Sequence, residues 1–392
     1  MPSYRNLMSG EPAPWFIARA STREQYAFDT AGGRYLVLCF FATADARGMS
    51  AIRAALEYPD LFDDATASFF GVSIDPSDET RQRLPTRQRG YRFFWDFTGE
   101  ICRLYGAVPH DAGPVITNVP VRRMWIVLDP TLRVLKVIPF IQDGGDACEL
   151  VTYLRSLPPP AKHAGVEMQA PILLLPNVFE TSFCDELVER HARDGGFETG
   201  VMREVAGRTV AIQDHGHKRR RDYVIKNERL IQAIRQRFAR AVAPELLKAY
   251  QYKATRMERH VVGCYSAADG GHFVAHRDNT TKGTAHRRFA ASINLNSDFD
   301  GGEVNFPEYG PRGFKPAPGS AVIFSCSLLH SVSRVTRGRR YAYLPFIYDD
   351  DAARIRQNNT EFLGDNVAGY AKEEPFAASR LREIETRQGR TT

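Results

Sequence analysis

The chain has 392 residues, 43% hydrophobic, 25% charged and 11% aromatic, a globular composition that excludes a disordered chain and, at roughly 100–200 residues per domain, implies more than one core. The best apolar run, Tyr35–Phe41, has strand length, short of the roughly 18 residues of a membrane span, so no membrane partner is expected. The excess of 52 Lys+Arg over 46 Asp+Glu is mild and does not call for nucleic acid, while six scattered cysteines without a C-x-x-C pair and an N-terminus without an apolar signal core point to reduced thiols in the cytoplasm.

In chain order, Tyr35–Phe41, Ser68–Ser73, Met124–Leu128 and Val134–Ile138 predict strands, and Met49–Leu56 and Ala147–Leu154 carry helical spacing. Strands alternating with helices predict an α/β layered domain over residues 1–157. Asp129-Pro130-Thr131 joins two β-rich runs directly, which predicts an antiparallel hairpin rather than a crossover. With Gly10-Glu11-Pro12-Ala13-Pro14, Val37–Phe41, Gly71–Asp75, Asp96–Glu100, Tyr105-Gly106 and Arg123 ahead of Trp125–Asp129, this half resembles the peroxiredoxin branch of the thioredoxin-like folds. The resemblance implies a reactive cysteine where the first core strand leads into a helix, activated by the helix dipole and an arginine. Phe41–Met49 holds no cysteine, so Arg123 matches the supporting arginine without its nucleophile, and Cys39 lies inside the apolar strand as a core residue. The domain is therefore expected to be redox-inactive and to serve docking, substrate presentation or dimerisation, with a homodimer as one option.

Three prolines, Pro158–Pro160, open residues 158–169, which are expected to form an extended, stiff linker. Next come a strand at Ile172–Leu175, a helix over Ser182–Arg193 with Ser182 as its N-cap, and an amphipathic helix from Glu228 marked by Leu230, Ile231, Ile234, Phe238 and Val242. From Tyr252 to Tyr348 short β runs broken by Gly, Asn, Asp and Pro predict a barrel or sandwich. Residues 170–350 make this second domain, and residues 351–392 a polar C-terminal extension without an interpretable motif.

The chemistry concentrates in the second domain. On an extended strand His276 and Asp278 project to one side and Arg277 to the other, so two ligands arrive together. The apolar strand Ala321–Phe324 leads to His330; two imidazoles and one carboxylate on one face of an octahedron suit non-haem Fe(II). H-x-D alone is a motif that chance supplies, and two unrelated polar sites would give the same letters. Arg340 is either an ordinary salt-bridge arginine, like Arg337 and Arg339 beside it, or a buried fork for a carboxylate.

With Gly271-His272-Phe273, His276-x-Asp278, Asn294-Leu295-Asn296, Gly301-Gly302-Glu303, Pro318–Ala321 and His330 through Arg340 in this order, residues Ala170 to Asp350 resemble the Fe(II)- and 2-oxoglutarate-dependent oxygenases, in particular the prolyl 4-hydroxylase-like branch. The resemblance implies a double-stranded β-helix (jelly roll) with supporting helices, fused to the α/β thioredoxin-like N-terminal domain. By it, His276, Asp278 and His330 would bind Fe(II), while Arg340 and Tyr265 would hold the distal carboxylate of 2-oxoglutarate. O2 would be the cosubstrate and ascorbate an optional reductant. The expected reaction is hydroxylation of an unactivated C–H in an amino-acid, peptidyl or related small-molecule substrate, with succinate and CO2 released. The competing reading is a thiol-dependent peroxidase or redox adaptor whose C-terminal domain senses iron or oxygen without turnover.

Other motifs stay open. His215-Gly216-His217 is either a second metal pair or a pair of exposed loop histidines; Lys218–Arg221 is a solvated charge cluster, a substrate-entrance rim or a nucleic-acid contact. The polar segment Thr280–Arg288 follows the H-x-D pair and could form a lid, with His286, Arg287 and Arg288 either touching substrate or serving structure. Glu303 is expected to support the barrel.

Overall fold

The computed structural model describes residues 3–85, 88–113 and 119–367; most of the anticipated C-terminal extension, residues 368–392, lies outside the described residues. The chain divides into two compact units, Met1–Ala170 with Pro307–Pro311, and Pro171–Phe306 with Arg312–Thr392.

In the first unit the strand Tyr35–Ala42 is buried at every position, and its side chains alternate between two cores. Leu36, Leu38 and Phe40 pack with Phe70, Val72, Phe94, Ile126 and Leu128 on one face, and Val37, Cys39 and Phe41 with Phe69, Phe93, Trp125 and Val127 on the other. A strand covered on both faces must be central, which explains its near-continuous apolar sequence. It runs parallel to Ala67–Ser73, itself parallel to Tyr91–Trp95, and antiparallel to Met124–Leu128. The expected hairpin is present, since Met124–Leu128 pairs antiparallel with Val134–Pro139. Ile52 of the helix Ala46–Leu56 and Leu150 of the helix Gly145–Ser156 cover one face, while Ile101 and Tyr105 of Glu100–Tyr105 cover the other. The segment read as an extended linker instead contains a 3-10 turn at Pro160–Lys162, because Lys162 and Gly165 close turns onto Pro159 and Lys162 carbonyls.

The second unit is built on two antiparallel sheets. The larger contains Val261–Ser266 between Arg221–Val224 and Arg339–Tyr343, with Phe289–Asn294 beside the latter. The smaller contains His272–His276, His330–Val332, Val304–Asn305 and Gly313–Phe314. The helices Thr181–Asp194, Glu228–Ala241 and Ala243–Tyr250 bury Phe183, Leu187, Ile234, Phe238 and Leu246 with Val262, Cys264, Ala291, Ile293, Tyr341 and Tyr343. Strand alternation then turns Tyr265, Ser292, Asn294 and Arg340 to the opposite face, where Tyr265 packs with Phe299, Val332 and Val335. The helix expected to be capped by Ser182 begins at Thr181 behind Glu180, whose carboxylate is occupied by Arg237 at 2.7 Å rather than capping. Asn227 caps the next helix through Leu230 N. Among the described residues no helix is long and apolar enough to cross a membrane.

Candidate metal centre

The strand His272–His276 ends at the first candidate ligand, so Asp278 is delivered by the turn beyond it, not by continued strand alternation. That turn is held by Asp278 N donating to the Cys326 carbonyl at 2.9 Å, while Arg277 is drawn away to the Ser327 carbonyl. His330 opens the neighbouring strand and pairs in register with His276. One ligand atom from each of His276, Asp278 and His330 lies within 4.8 Å of the others. Nε2 of His276 is 3.6 Å from Asp278 Oδ1, and Nε2 of His330 is 3.3 Å from Asp278 Oδ2.

The imidazoles are set for this role by their other nitrogens. Nδ1 of His276 contacts the Val274 carbonyl at 2.8 Å, and Nδ1 of His330 the Leu328 carbonyl at 3.0 Å. A carbonyl only accepts, so each Nδ1 must carry the proton and each Nε2 keeps its lone pair for a metal. Phe273 stacks on His276 with centroids 3.6 Å apart, and Phe324 packs against His330 at 4.5 Å. Burial, with the charge of His276 next in weight, pushes His330 down to about 4 and favours the neutral, ligating ring. Burial alone would raise the Asp278 carboxyl, but the two imidazoles, when protonated, hold it well below the usual carboxylate range.

Arg340 is 1% exposed and faces no carboxylate within hydrogen-bonding distance among the described residues. Its Nε donates to Asn294 Oδ1 at 3.1 Å and its Nη2 to Ser292 Oγ at 2.7 Å, both from the adjoining strand. Its Nη1 is buried and has no hydrogen-bond partner among the described residues. Tyr265, also 1% exposed, is the cross-strand neighbour of Arg340, and its ring lies 5.3 Å from that guanidinium. A buried guanidinium with a spare donor is costly unless an anion completes it. The orphaned Nη1 therefore fits a carboxylate ligand, as the neutral Nε2 pair and Asp278 fit a divalent metal.

The remaining motifs divide unexpectedly. Lys218–Arg221 is not a solvated cluster or rim as a whole: Lys218 and Arg220 are buried, while Arg219 is half-buried and Arg221 exposed. Lys218 Nζ donates to Thr199 Oγ1 at 2.8 Å and Gly200 O at 2.9 Å; Arg220 pairs with Asp222. The signal was legible as alternation, since Lys218, Arg220 and Asp222 occupy every second position. His215 is an exposed loop histidine bound to Glu198 at 2.7 Å. His217 differs from that reading, for its ring stands 6.2 Å from His276 and 5.6 Å from Phe273.

The segment Thr280–Arg288, open between a lid, substrate contacts and structure, is tied into the domain. Thr281 and Thr284 close a capping box around the 3-10 turn Lys282–Thr284, and Gly283 N donates to Thr209 Oγ1 at 2.9 Å. His286 is 0% exposed, with Nε2 3.0 Å from Glu258 Oε1. Arg287 reaches the same oxygen at 3.0 Å, and Arg356 reaches Oε2 at 2.9 Å. Arg288 turns to the Ala285 carbonyl at 2.9 Å. One buried carboxylate thus gathers His286 and Arg287, two of the three residues that the sequence left open between substrate contact and structure. Glu303 accepts from Ser333 Oγ and serves the sheet, as expected.

In the first unit, Asp45 stands at the start of the helix Ala46–Leu56, accepts from Gly48 N at 2.8 Å and pairs with Arg123. The Arg123 hydrogen bond leads the effects that hold the Asp45 carboxyl low. A carboxylate therefore takes the arginine and cap that would activate a thiolate. Cys39 is fully buried and its thiol is pushed well up by burial, then by Asp146.

Residues 261–348 match the profile of the 2OG-Fe(II) oxygenase superfamily, and residues 9–135 that of the AhpC/TSA family. Two proteins named PKHD-type hydroxylase, from two strains of Pseudomonas putida, are similar to part of this chain. One is 36% identical over 91 residues, 21% of this chain and 39% of the relative; the other is 26% identical over 188 residues, 44% and 75%. Among solved structures, a peroxidoxin from Mycobacterium tuberculosis is similar at 21% identity over 39% of this chain and 99% of that one, TM-score 0.32. A prolyl hydroxylase from Trichoplax adhaerens is similar at 18% identity over 48% and 87%, TM-score 0.38. Residues 261–348 are thus similar to the 2OG-Fe(II) oxygenase superfamily and residues 9–135 to the AhpC/TSA family, and the match spans 39% of the length of one curated relative and 75% of the other.

Proposed function

We propose that the protein is an Fe(II)- and 2-oxoglutarate-dependent dioxygenase that hydroxylates an unactivated C–H of an amino-acid, peptidyl or related small-molecule substrate. The carrying observation is the conjunction of two Nε2 lone pairs and a carboxylate with the buried Nη1 of Arg340, which has no partner among the described residues. His276, Asp278 and His330 would hold the metal. Arg340, with Tyr265 beside it, would hold the distal carboxylate of 2-oxoglutarate. When bound, Fe(II) and 2-oxoglutarate supply activation of O2, one oxygen atom going to the substrate as hydroxyl and the other to succinate, with CO2 lost.

The chain's own contribution is orientation and exclusion of water. Ser292 and Asn294 accept two donors of Arg340 and so aim the third at the ligand. The Val274 and Leu328 carbonyls fix both tautomers. The two antiparallel sheets are those of a double-stranded β-helix in this reading, with a prolyl 4-hydroxylase-like preference as its narrower form. The N-terminal unit serves as a redox-inactive module, a role supported by Asp45 taking Arg123 and the helix cap, and the setting is a reducing cytoplasm. Anaerobic addition of Fe(II) and then 2-oxoglutarate should produce a weak visible charge-transfer band, and aerobic succinate formation should require both. His276→Ala and His330→Ala should each abolish the band and turnover, and undiminished turnover in both would refute the site.

A further inference from the structure

Arg220 is 5% exposed and Asp222 is 0% exposed, and they form a two-point pair, Nε to Oδ1 at 2.5 Å and Nη2 to Oδ2 at 2.8 Å. The remaining terminal nitrogen, Nη1, donates to the Tyr265 hydroxyl at 3.2 Å. Room for this reach is built into the strand: a Cβ on Gly263 would lie 2.7 Å from Arg220 Cδ. A matching gap serves the other arginine, since a Cβ on Gly302 would lie 2.9 Å from Arg340 Cδ. Tyr265 is therefore flanked by two guanidiniums, 5.6 Å and 5.3 Å from its ring.

Hydrogen-bond arithmetic gives this arrangement a direction. A guanidinium has no acceptor, and a phenol has one proton. Among the described residues Tyr265's hydroxyl receives a hydrogen bond from Arg220 and donates none. Its proton is left for an acceptor that neither arginine can provide. Buried ion pairs are often replaceable by apolar residues without loss of stability, so stability alone is a weak reason for burying Arg220 and Asp222.

We propose, resting on the cosubstrate reading above, that Arg220 is a positioning residue for 2-oxoglutarate: it acts through Tyr265, committing the phenol oxygen as acceptor so that the O–H donates to the carboxylate held by Arg340. Asp222 is the buttress that keeps the fork in place, and it is itself braced by Thr199 Oγ1 at 2.5 Å and Arg259 Nη2 at 3.2 Å.

The test is calorimetric titration of 2-oxoglutarate under argon into Mn(II)-loaded full-length protein, comparing wild type, Arg220→Lys, Tyr265→Phe and the double variant. Lysine keeps a charge beside Asp222 but lacks the fork that also reaches Tyr265. Arg220→Lys should melt like wild type, bind Mn(II) like wild type and bind 2-oxoglutarate about tenfold more weakly, the effect of one hydrogen bond to a charged group. Tyr265→Phe should match it, and the double variant should be no weaker than either. Wild-type affinity in Arg220→Lys, or losses that add in full, would overturn the proposal. Failure of the underlying reading shows separately: either wild type binds no 2-oxoglutarate, or Arg340→Met binds it as wild type does, and the proposal falls with it.

Discussion

Replacing Arg340 by Met keeps the methylene stem against Gly302 and removes only the guanidinium. In the unliganded protein the lost hydrogen bonds are to the neutral groups Ser292 Oγ and Asn294 Oδ1, and a buried cation with no carboxylate partner is lost with them. These effects oppose, so the unliganded variant should melt at or above the wild-type temperature. Ligand binding should move the other way: a charge-assisted hydrogen bond of about 1.5–3 kcal/mol corresponds to roughly a ten- to hundredfold loss of 2-oxoglutarate affinity. At a concentration 100 times the wild-type Kd, the ligand stabilises the wild type by about 2.7 kcal/mol and a hundredfold weaker variant by only about 0.4 kcal/mol. Thermal melts of the Mn(II)-loaded protein with and without 2-oxoglutarate read both quantities. A full ligand-induced shift in Arg340→Met would place the carboxylate elsewhere. A markedly destabilised unliganded variant would make Arg340 a scaffold residue.

Two further outcomes are expected. Lys218 is pushed down to about 6 by burial, with the Arg220 and Arg259 charges adding to it. Between that value and the unfolded lysine near 10.4 the unfolded chain binds more protons, so this group makes stability rise with pH, by up to about 1.4 kcal/mol per unit. Urea midpoints at pH 6.5 and 8.5, roughly spanning the lower part of that window, should show Lys218→Met gaining on wild type as pH falls; a constant difference would refute the shift. Asp45→Cys should create a thiol that titrates below the free value of about 8.5, because it inherits Arg123 and the helix start, and pH-dependent alkylation measures it. The unsubstituted protein should show no thiol-dependent peroxide turnover, and robust turnover that vanishes in Cys39→Ser would reverse the redox-inactive reading.

Local pattern carried much of this molecule. The apolar run from Tyr35, the hairpin at Asp129-Pro130-Thr131 and the helix at Glu228 were legible because strand alternation, turn residues and helical spacing act over a few positions. His276, Asp278 and His330 were legible as a group because their chemistry restricts what such residues do together, and the fold brings their ligand atoms within 4.8 Å. Burial of charge was not legible in the same way. Whether Arg220, His286 or Arg287 meets water depends on the carboxylate it finds, and only Asp222 stands close in sequence to its partner. Glu258 collects His286 and Arg287 from one stretch of chain and Arg356 from another, so two residues that the sequence left open between substrate contact and structure became interior partners of a buried carboxylate. Sequence by itself determined which elements form and which side chains can bind a metal. Tertiary structure alone decided which buried cations meet a carboxylate and which, among the described residues, do not, because the cost of a buried charge is set by neighbours that only the folded chain brings into reach.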